Sequence, residues 1–426
     1  MSTAYLTPTD DIVTIVDVPL SPALSVSPCG RHLLLWDRPP LKTIADMSAK
    51  EFKVAGKRLS KYFTPSLSRS SFYTGISVAR LPPISEPLAR GGGLPLKATQ
   101  VAALGKGMFR YHRWNQAGDL LCFCRLDTTS PNEGLRLFLL DPNKLGVHGP
   151  LAVDDARLPL SASLGTPVCW LNNRQLLCSV ASRAGDPLPE PNPVPTGPDT
   201  QEHTSTKKKK VRSYQDLIKS DYDETLFRHM GTSHLVLVTI DLKKDGRLTI
   251  ARKQLAPPAL YCSVRASPSG QYLLLSSYSD TSRIVRYNRF GETVSLYRFD
   301  SAGQQLTFIR HVAELPVADQ VPLTHNSCRP GKRFSFWSEG HGALLVSARA
   351  LDGGDARVDV EHRDELLCQS EADDFATETR LVRTALRWYG MDFLEDGKTA
   401  ILSESWWHTK VFRRWLCTLD GQARVT

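Results

Sequence analysis

One hairpin signal occurs six times along these 426 residues, and it limits the possible fold more than any other feature of the chain. Each copy has an extended apolar stretch, then Trp or a small residue, then a short turn rich in Gly, Asn, Asp or Pro, then an aliphatic strand. The copies start at Leu24 (LSVSPCGRHLLL), Trp114 (WNQAGDLLCF), Trp170 (WLNNRQLLCS), Ala266 (ASPSGQYLLLS), Trp337 (WSEGHGALLVS) and Phe393 (FLEDGKTAILS). A strand arrives, the turn residues reverse it, and a second strand leaves. Several copies are followed by another alternating strand, as at Arg136–Asn143, Leu235–Asp241 and Trp415–Gly421. This makes three or four antiparallel strands per unit.

Small sheets repeated in this way bury their faces only against one another, which predicts an all-β chain forming a β-propeller of four-stranded antiparallel blades over residues 1–426. The turns at residues 30, 118, 174, 270, 341 and 397 lie 56 to 96 residues apart. A bare blade takes about 40–50 residues, so some blades must carry insertions, and short helices belong there. The first insertion covers about residues 38–70, where Ile44, Ala45, Met47, Phe52, Val54 and Ala55 follow a helix-like period up to Gly56. The second covers about 183–233. It is Pro-rich through Pro198 and then turns helical, with Ser213 as the expected cap and Gly231 as the stop. WD-type signatures do not recur.

Hydrophobic residues make up 41% and charged residues 23% of the chain, which suits a folded core. No apolar run approaches the roughly 18 residues of a membrane span, so no membrane partner is expected. The first residues have neither a signal-peptide nor a transit-peptide plan. The nine cysteines mostly sit in apolar runs and read as reduced and buried. The Cys122-x-Cys124 pair has no His beside it, so no metal site is expected, and no cofactor motif is present. The net charge of +9 would suit an anionic partner. The only dense basic run, Lys207–Lys210 with Arg212, lacks interleaved aromatics and reads as a solvated loop, with no nucleic-acid partner expected.

Catalytic signatures fail on inspection. The stretches from Gly231 through Ser233 and from Gly75 through Ser77 both lack the closing glycine of a nucleophile elbow. The Gly397-Lys398-Thr399 triplet has the wrong spacing for a phosphate loop and sits in the sixth hairpin. The Asp154-Asp155 and Asp373-Asp374 pairs lie among polar residues typical of turns, and Leu351-Asp-Gly-Gly-Asp355 reads as a hairpin turn with too few oxygen ligands for calcium.

Particular words point further. Arg38-Pro-Pro-Leu41, Ser71-Phe-Tyr73-Thr-Gly75, Val194-Pro-Thr-Gly-Pro198, Tyr214-Gln-Asp-Leu217, Ala350-Leu-Asp-Gly-Gly-Asp-Ala-Arg-Val358 and Glu404-Ser-Trp406-Trp-His-Thr-Lys410 resemble the chloroplast-type glutamyl endopeptidases of the prolyl-oligopeptidase clan. The matches keep their order from about residue 19 to 420. The stretch around Arg289 departs locally, lacking a glycine before Arg289-Phe290. The resemblance implies a serine endopeptidase with an N-terminal propeller and a C-terminal α/β-hydrolase domain that carries Ser, Asp and His. This chain matches only the propeller, so the hydrolase domain is not expected within it. A clan propeller of seven or so blades implies that the ring of six signals is incomplete. The implied role is gating peptide substrates on their way to the catalytic domain, and the alternative is a free-standing propeller used as an interaction scaffold. The resemblance places the protein in the plastid stroma; the missing transit pattern leaves the cytoplasm as the second expectation. Arg38, Tyr73, Arg289, Glu404 and Trp406 are family-motif residues without an assigned role.

In a propeller the first strand of each blade faces the axis. Eight residues before the six turns stand Pro22, Arg110, Thr166, Cys262, Arg333 and Tyr389, and Arg265 lies five before its own turn. Arg110, Arg265 and Arg333 are therefore the expected pore-lining cations that attract acidic substrate; pairing with acids between blades is the competing role for them. With no positioned nucleophile, base and oxyanion hole, this chain is expected to stay unlabelled by a fluorophosphonate probe. Stoichiometric labelling of Ser77 or Ser233, read by peptide mass spectrometry, would contradict that reading.

Overall fold

The computed structural model describes residues 8–39, 41–82, 96–129, 133–148, 152–153, 156–191, 214–243, 248–338, 344–394, 396, 398–418 and 423–425. Each of the six hairpin signals supplies the first two strands of a four-stranded antiparallel sheet. Blade 1 uses Ala23–Val26, His32–Asp37, Gly75–Arg80 and Ala98–Gln100; blade 2 uses Met108–Trp114, Leu121–Asp127, Gly134–Asp141 and Gly146–His148. Blade 3 is Val168–Asn172, Gln175–Ala181, Ser233–Leu242 and Leu248–Ala259, and blade 4 is Tyr261–Ala266, Tyr272–Tyr278, Glu292–Asp300 and Gln305–Leu315. Blade 5 runs Lys332–Trp337, Leu344–Ala350, Asp364–Ser370 and Thr379–Thr384, and blade 6 runs Arg387–Phe393, Thr399–Trp406, Val411–Thr418 and Ala423–Val425. Strands follow chain order across every blade, and the chain forms a β-propeller array.

The core lies between blades. Alternation along each strand sends successive side chains to opposite faces, so Leu34, Trp36, Ile76 and Val78 of blade 1 meet Phe109, Leu121, Phe123 and Leu140 of blade 2. The other face of blade 2, with Cys122, Cys124, Leu137 and Leu139, meets Trp170, Leu176 and Val236 of blade 3. The same arrangement continues between blades 3 and 4, 4 and 5, and 5 and 6. Among the described residues no buried apolar cluster joins blade 6 to blade 1. Leu24 and Val26 on blade 1, and Tyr389 and Phe412 on blade 6, stay exposed.

Tryptophan side chains tie the inner strands together. Trp114 Nε1 donates to Ser25 Oγ of the preceding blade at 3.1 Å, Trp170 Nε1 to the Arg113 carbonyl at 2.9 Å, and Trp337 Nε1 to the Arg265 carbonyl at 3.2 Å. Turns also touch. The Ala117 amide donates to Asn173 Oδ1 at 2.7 Å, and Gln116 Nε2 donates to the Pro268 carbonyl at 2.8 Å.

The first insertion departs from its expected form, and the second ends its helix at Gly231 as expected. In the first, the helix is only Ile44–Ser48, closed by a Thr43–Asp46 capping box; Phe52–Val54 and Lys57–Ser60 are hairpin strands. Ala55 and Gly56 have φ of 54° and 72°, so the positive-φ pair turns a hairpin where the apolar spacing suggested a continuing helix. In the second, the Pro-rich run beyond residue 191, the basic run at 207–210 and the Ser213 cap lie outside the described residues. The helix there is Asp221–Gly231 and is capped by Ser220, whose hydroxyl accepts from the Asp223 amide at 3.2 Å. The two insertions pack together, Val54, Ala55 and Leu59 sharing a core with Leu226, Phe227 and Met230 and with Val285 and Phe290 of blade 4. Of the nine free cysteines, Cys29, Cys169, Cys262 and Cys328 are only partly buried, fewer in the core than the apolar runs suggested. The Leu351–Gly354 turn leads into an irregular stretch, and the next strand starts only at Asp364.

Gly30 and Gly270 occupy equivalent turns, with φ of 68° and 71°. A Cβ at Gly30 would meet nothing, whereas one at Gly270 would enter the van der Waals shell of the Leu171 carbonyl oxygen in blade 3. Gly30→Ala should therefore cost about 1–2 kcal/mol from left-handed backbone strain alone. Gly270→Ala should cost more, because the blade 3–4 seam must also shift. Urea unfolding of both variants checks the order, and equal losses would contradict it.

Candidate functional site: a cationic cavity among the inner strands

The first strands of blades 2, 3 and 4 lie side by side and line a cavity of about 840 Å³. Arg110 and Arg113 come from blade 2, Thr166 and Cys169 from blade 3 and its approach, and Cys262 and Arg265 from blade 4. Lys57 and Pro65 reach it from the first insertion. Four cations thus face this space, and among the described residues its lining holds no Asp or Glu.

The backbone explains how two arginines of one strand share the cavity. Residues 110 and 113 would fall on opposite faces of a regular strand, but the pairing register shifts between them and Tyr111 takes φ 54°. A bulge of this kind re-aims side chains. Arg110 packs its guanidinium 4.8 Å from the Tyr111 ring centre, and Arg113 donates to the His112 carbonyl at 3.1 Å. Arg265 donates to Ser263 Oγ at 3.1 Å and to the Ser335 carbonyl at 3.0 Å. Among the described residues none of these three arginines has a carboxylate partner.

Two neighbouring groups stay uncharged at neutral pH. Burial, with Arg113 nearby, pushes the His112 imidazole down to about 4, and burial pushes the Cys262 thiol up to about 12. Cys262 is therefore a thiol, not a nucleophilic thiolate. Lys57 lies with its ammonium 4.4 Å over the Tyr287 ring and also lines a second cavity of about 670 Å³ with Arg69, Arg286 and Asp216. Burial lowers its amine to about 8.

Of the positions eight residues before the turns, Arg110, Thr166 and Cys262 line the large cavity. Tyr389 is 71% exposed. Arg333 is buried and pairs with Asp364 of its own blade at 2.5 Å. Asp364 also accepts from Arg387 Nη1 and the Trp388 amide, both at 2.7 Å, while Arg387 Nη2 reaches Asp352 at 2.5 Å. This cluster closes the seam between blades 5 and 6. Lys57 and Arg113 were not among the sequence candidates. A bulge leaves no pattern in the residues, and nothing local to Lys57 says that its hairpin folds over blade 4.

The family-motif residues serve scattered places. Arg38 is exposed after the second strand of blade 1, and Arg289 lies in a single 3-10 turn. Tyr73 bridges to Phe109 and packs 5.2 Å from the Trp36 ring. Glu404 is fully buried and accepts from the Leu386 amide at 2.8 Å and Trp415 Nε1 at 3.0 Å. Trp406 carries the Arg363 guanidinium 4.4 Å above its ring. Among the described residues no group of His, Cys, Asp and Glu is arranged to hold a metal ion, and no helix is long and apolar enough to cross a membrane.

The lowered Lys57 amine gives a measurable pH dependence. The folded chain releases this proton near pH 8, before the unfolded chain does, so the unfolded state holds more protons above that point and stability rises with pH up to the ordinary lysine value. Acylation of Lys57, followed by mass spectrometry, should show a midpoint near pH 8. Lys57→Met should remove the rise from the stability profile; an ordinary lysine midpoint would contradict the assignment.

No protein-family profile matches the chain. It is 33% identical over 421 residues to a protein of Oryza sativa subsp. japonica named probable glutamyl endopeptidase, chloroplastic, covering 98% of this chain and 42% of that one. The protein of the same name from Arabidopsis thaliana is also 33% identical over 421 residues, covering 98% and 41%. The chain thus spans about two-fifths of the length of these curated relatives. Among solved structures, Pyrococcus horikoshii acylaminoacyl peptidase aligns at 10% identity over 97% of this chain and 46% of its own, with a TM-score of 0.39. Prolyl oligopeptidase B from Galerina marginata aligns at 11% identity over 93% and 50%, with a TM-score of 0.34. Along nearly its whole length, then, the chain is a sequence relative of the chloroplast-type glutamyl endopeptidases, matching about two-fifths of theirs.

Proposed function

We propose that this chain is the propeller part of a serine-type glutamyl endopeptidase and governs how peptides reach an α/β-hydrolase catalytic domain. The observation that carries the reading is the cavity lined by Lys57, Arg110, Arg113 and Arg265 without an acid. Uncompensated cations inside low-dielectric walls raise the local concentration of anionic substrate, which suits an enzyme whose relatives are named for glutamyl cleavage. On this reading the chain's part is electrostatic and steric. Acyl transfer would belong to a Ser-His-Asp set on the hydrolase domain; the plastid stroma is the compartment we propose, in keeping with the word chloroplastic in the relatives' names.

The test uses the protein joined to its catalytic domain and a pair of peptides that differ only in the acids flanking the cleaved glutamyl bond. Arg110→Gln combined with Arg265→Gln should lower kcat/KM on the acid-flanked peptide on the order of tenfold and leave the neutral-flanked one unchanged. High salt should reproduce the loss with the unaltered protein. Equal kinetics on both peptides, in a variant that folds normally, would remove the proposal.

A further inference from the structure

Between the inner ends of blades 4 and 5 lies a third, more enclosed cavity of about 200 Å³. Its lining includes Arg265, Arg329, Lys332 and Arg333, with Glu292 as the one carboxylate. Three of these cations are already neutralised: Arg329 pairs with Glu292 at 3.1 Å, Lys332 with Glu378, and Arg333 Nη2 with Asp364 at 2.5 Å. Arg265 has no acid among the described residues. One positive charge is therefore left over at the wall.

Two polar groups of the lining lack hydrogen-bond partners among the described residues. Arg333 is 5% exposed and Ser335 9% exposed, yet Arg333 Nη1 and Ser335 Oγ are both buried and unpaired. Buried donors without partners are costly, and each calls for an explanation. The strand supplies the geometry. Its register shifts between Arg333 and Phe336, with Phe334 at φ 57° and 61% exposed. Ser335 lies inside this irregular stretch and lines the cavity together with Arg333 and Phe334.

We propose that this cavity binds a carboxylate, held by the Arg333 Nη1 donor, the Ser335 hydroxyl and the Arg265 guanidinium. A single uncompensated charge suits a monoanion. Apolar Leu274, Val294 and Leu315 in the same lining suit a short methylene stem. The carboxylate comes from an acidic side chain of a peptide or from a small free acid, and the chemistry of the site is the same for both. The proposal does not depend on the gating reading, since the pocket binds or fails to bind with no cleavage involved.

The experiment follows thermal stability and 13C NMR of the whole protein titrated with propionate, with propionamide as the neutral isostere and chloride as the salt control. Propionate should bind saturably and raise the midpoint, and the other two should not. Ser335→Ala removes an unpaired buried hydroxyl, so that variant should fold at least as well while binding propionate at least tenfold more weakly; Arg265→Gln should do the same from the exposed side. Arg110→Gln, which alters only the larger cavity, should leave propionate binding intact. A blocked Glu peptide binding tenfold tighter than its Gln counterpart identifies the peptide side chain as the source. Propionate bound equally well beside either peptide identifies the free acid. Absence of saturable binding, equal binding of propionamide, or unchanged binding in Ser335→Ala would each overturn the proposal.

Discussion

Burial of one blade face against the next is the constraint on which the structure rests. A four-stranded sheet of alternating residues leaves two apolar faces, and each of the five seams removes one face of two neighbours from water. Trp114, Trp170 and Trp337 add direction to this non-directional force, because each indole N–H finds a partner on the inner strand of the preceding blade. The inner strands are thereby held side by side, and the cavity exists because they are.

Strand irregularity then turns a scaffold into a site. Outer strand pairs of blades 3, 4 and 5 carry register shifts, and bulges interrupt the first strands of blades 2 to 6 as well. They break the two-residue alternation at the positions that face the axis. Arg110 and Arg113 reach one cavity because Tyr111 adopts a positive φ, and the strand of Arg333 and Ser335 bends at Phe334. Along the same array the cations divide into two populations. Arg333 and Arg387 are locked into carboxylates at the blade 5–6 seam, whereas Arg110, Arg113 and Arg265 keep their charge for the cavity. The first group would be destabilising if unpaired, since buried charge tolerates little freedom. The second can remain unpaired because Arg113 and Arg265 are exposed and Arg110 half-exposed.

The insertions show the same division of labour at larger scale. Taken singly, the hairpin at 52–60 and the helix at 221–231 are too short to bury much surface. Together with Val285 and Phe290 of blade 4 they form a core of their own, and that core carries Lys57 to the cavity wall, where burial lowers its amine to about 8. A lysine in this position links the blade ring to the segments that interrupt it.

The sequence by itself determined the repeat, the four-stranded blades and the places where they are interrupted, because the signals for those features are local. A glycine at a turn, a period-two aliphatic strand and a tryptophan ahead of the turn act within about ten residues of each other. The words shared with chloroplast-type glutamyl endopeptidases were legible for the same reason. It also brought out Arg110 through a register shared with Arg333, and Arg265 through its place just before its own turn, but register could not separate Arg110 from Arg333, since the acid that claims Arg333 stands 31 residues away on another strand. Only the tertiary structure decided that Asp352, in what reads as a hairpin turn, is buried against Arg387, that the stretch from Phe52 to Ala55 belongs to a hairpin and not a helix, and that Lys57 joins the cavity. Those outcomes depend on which surfaces meet after folding, and burial and pairing across long stretches of chain overrule the weak local preferences that the sequence displays.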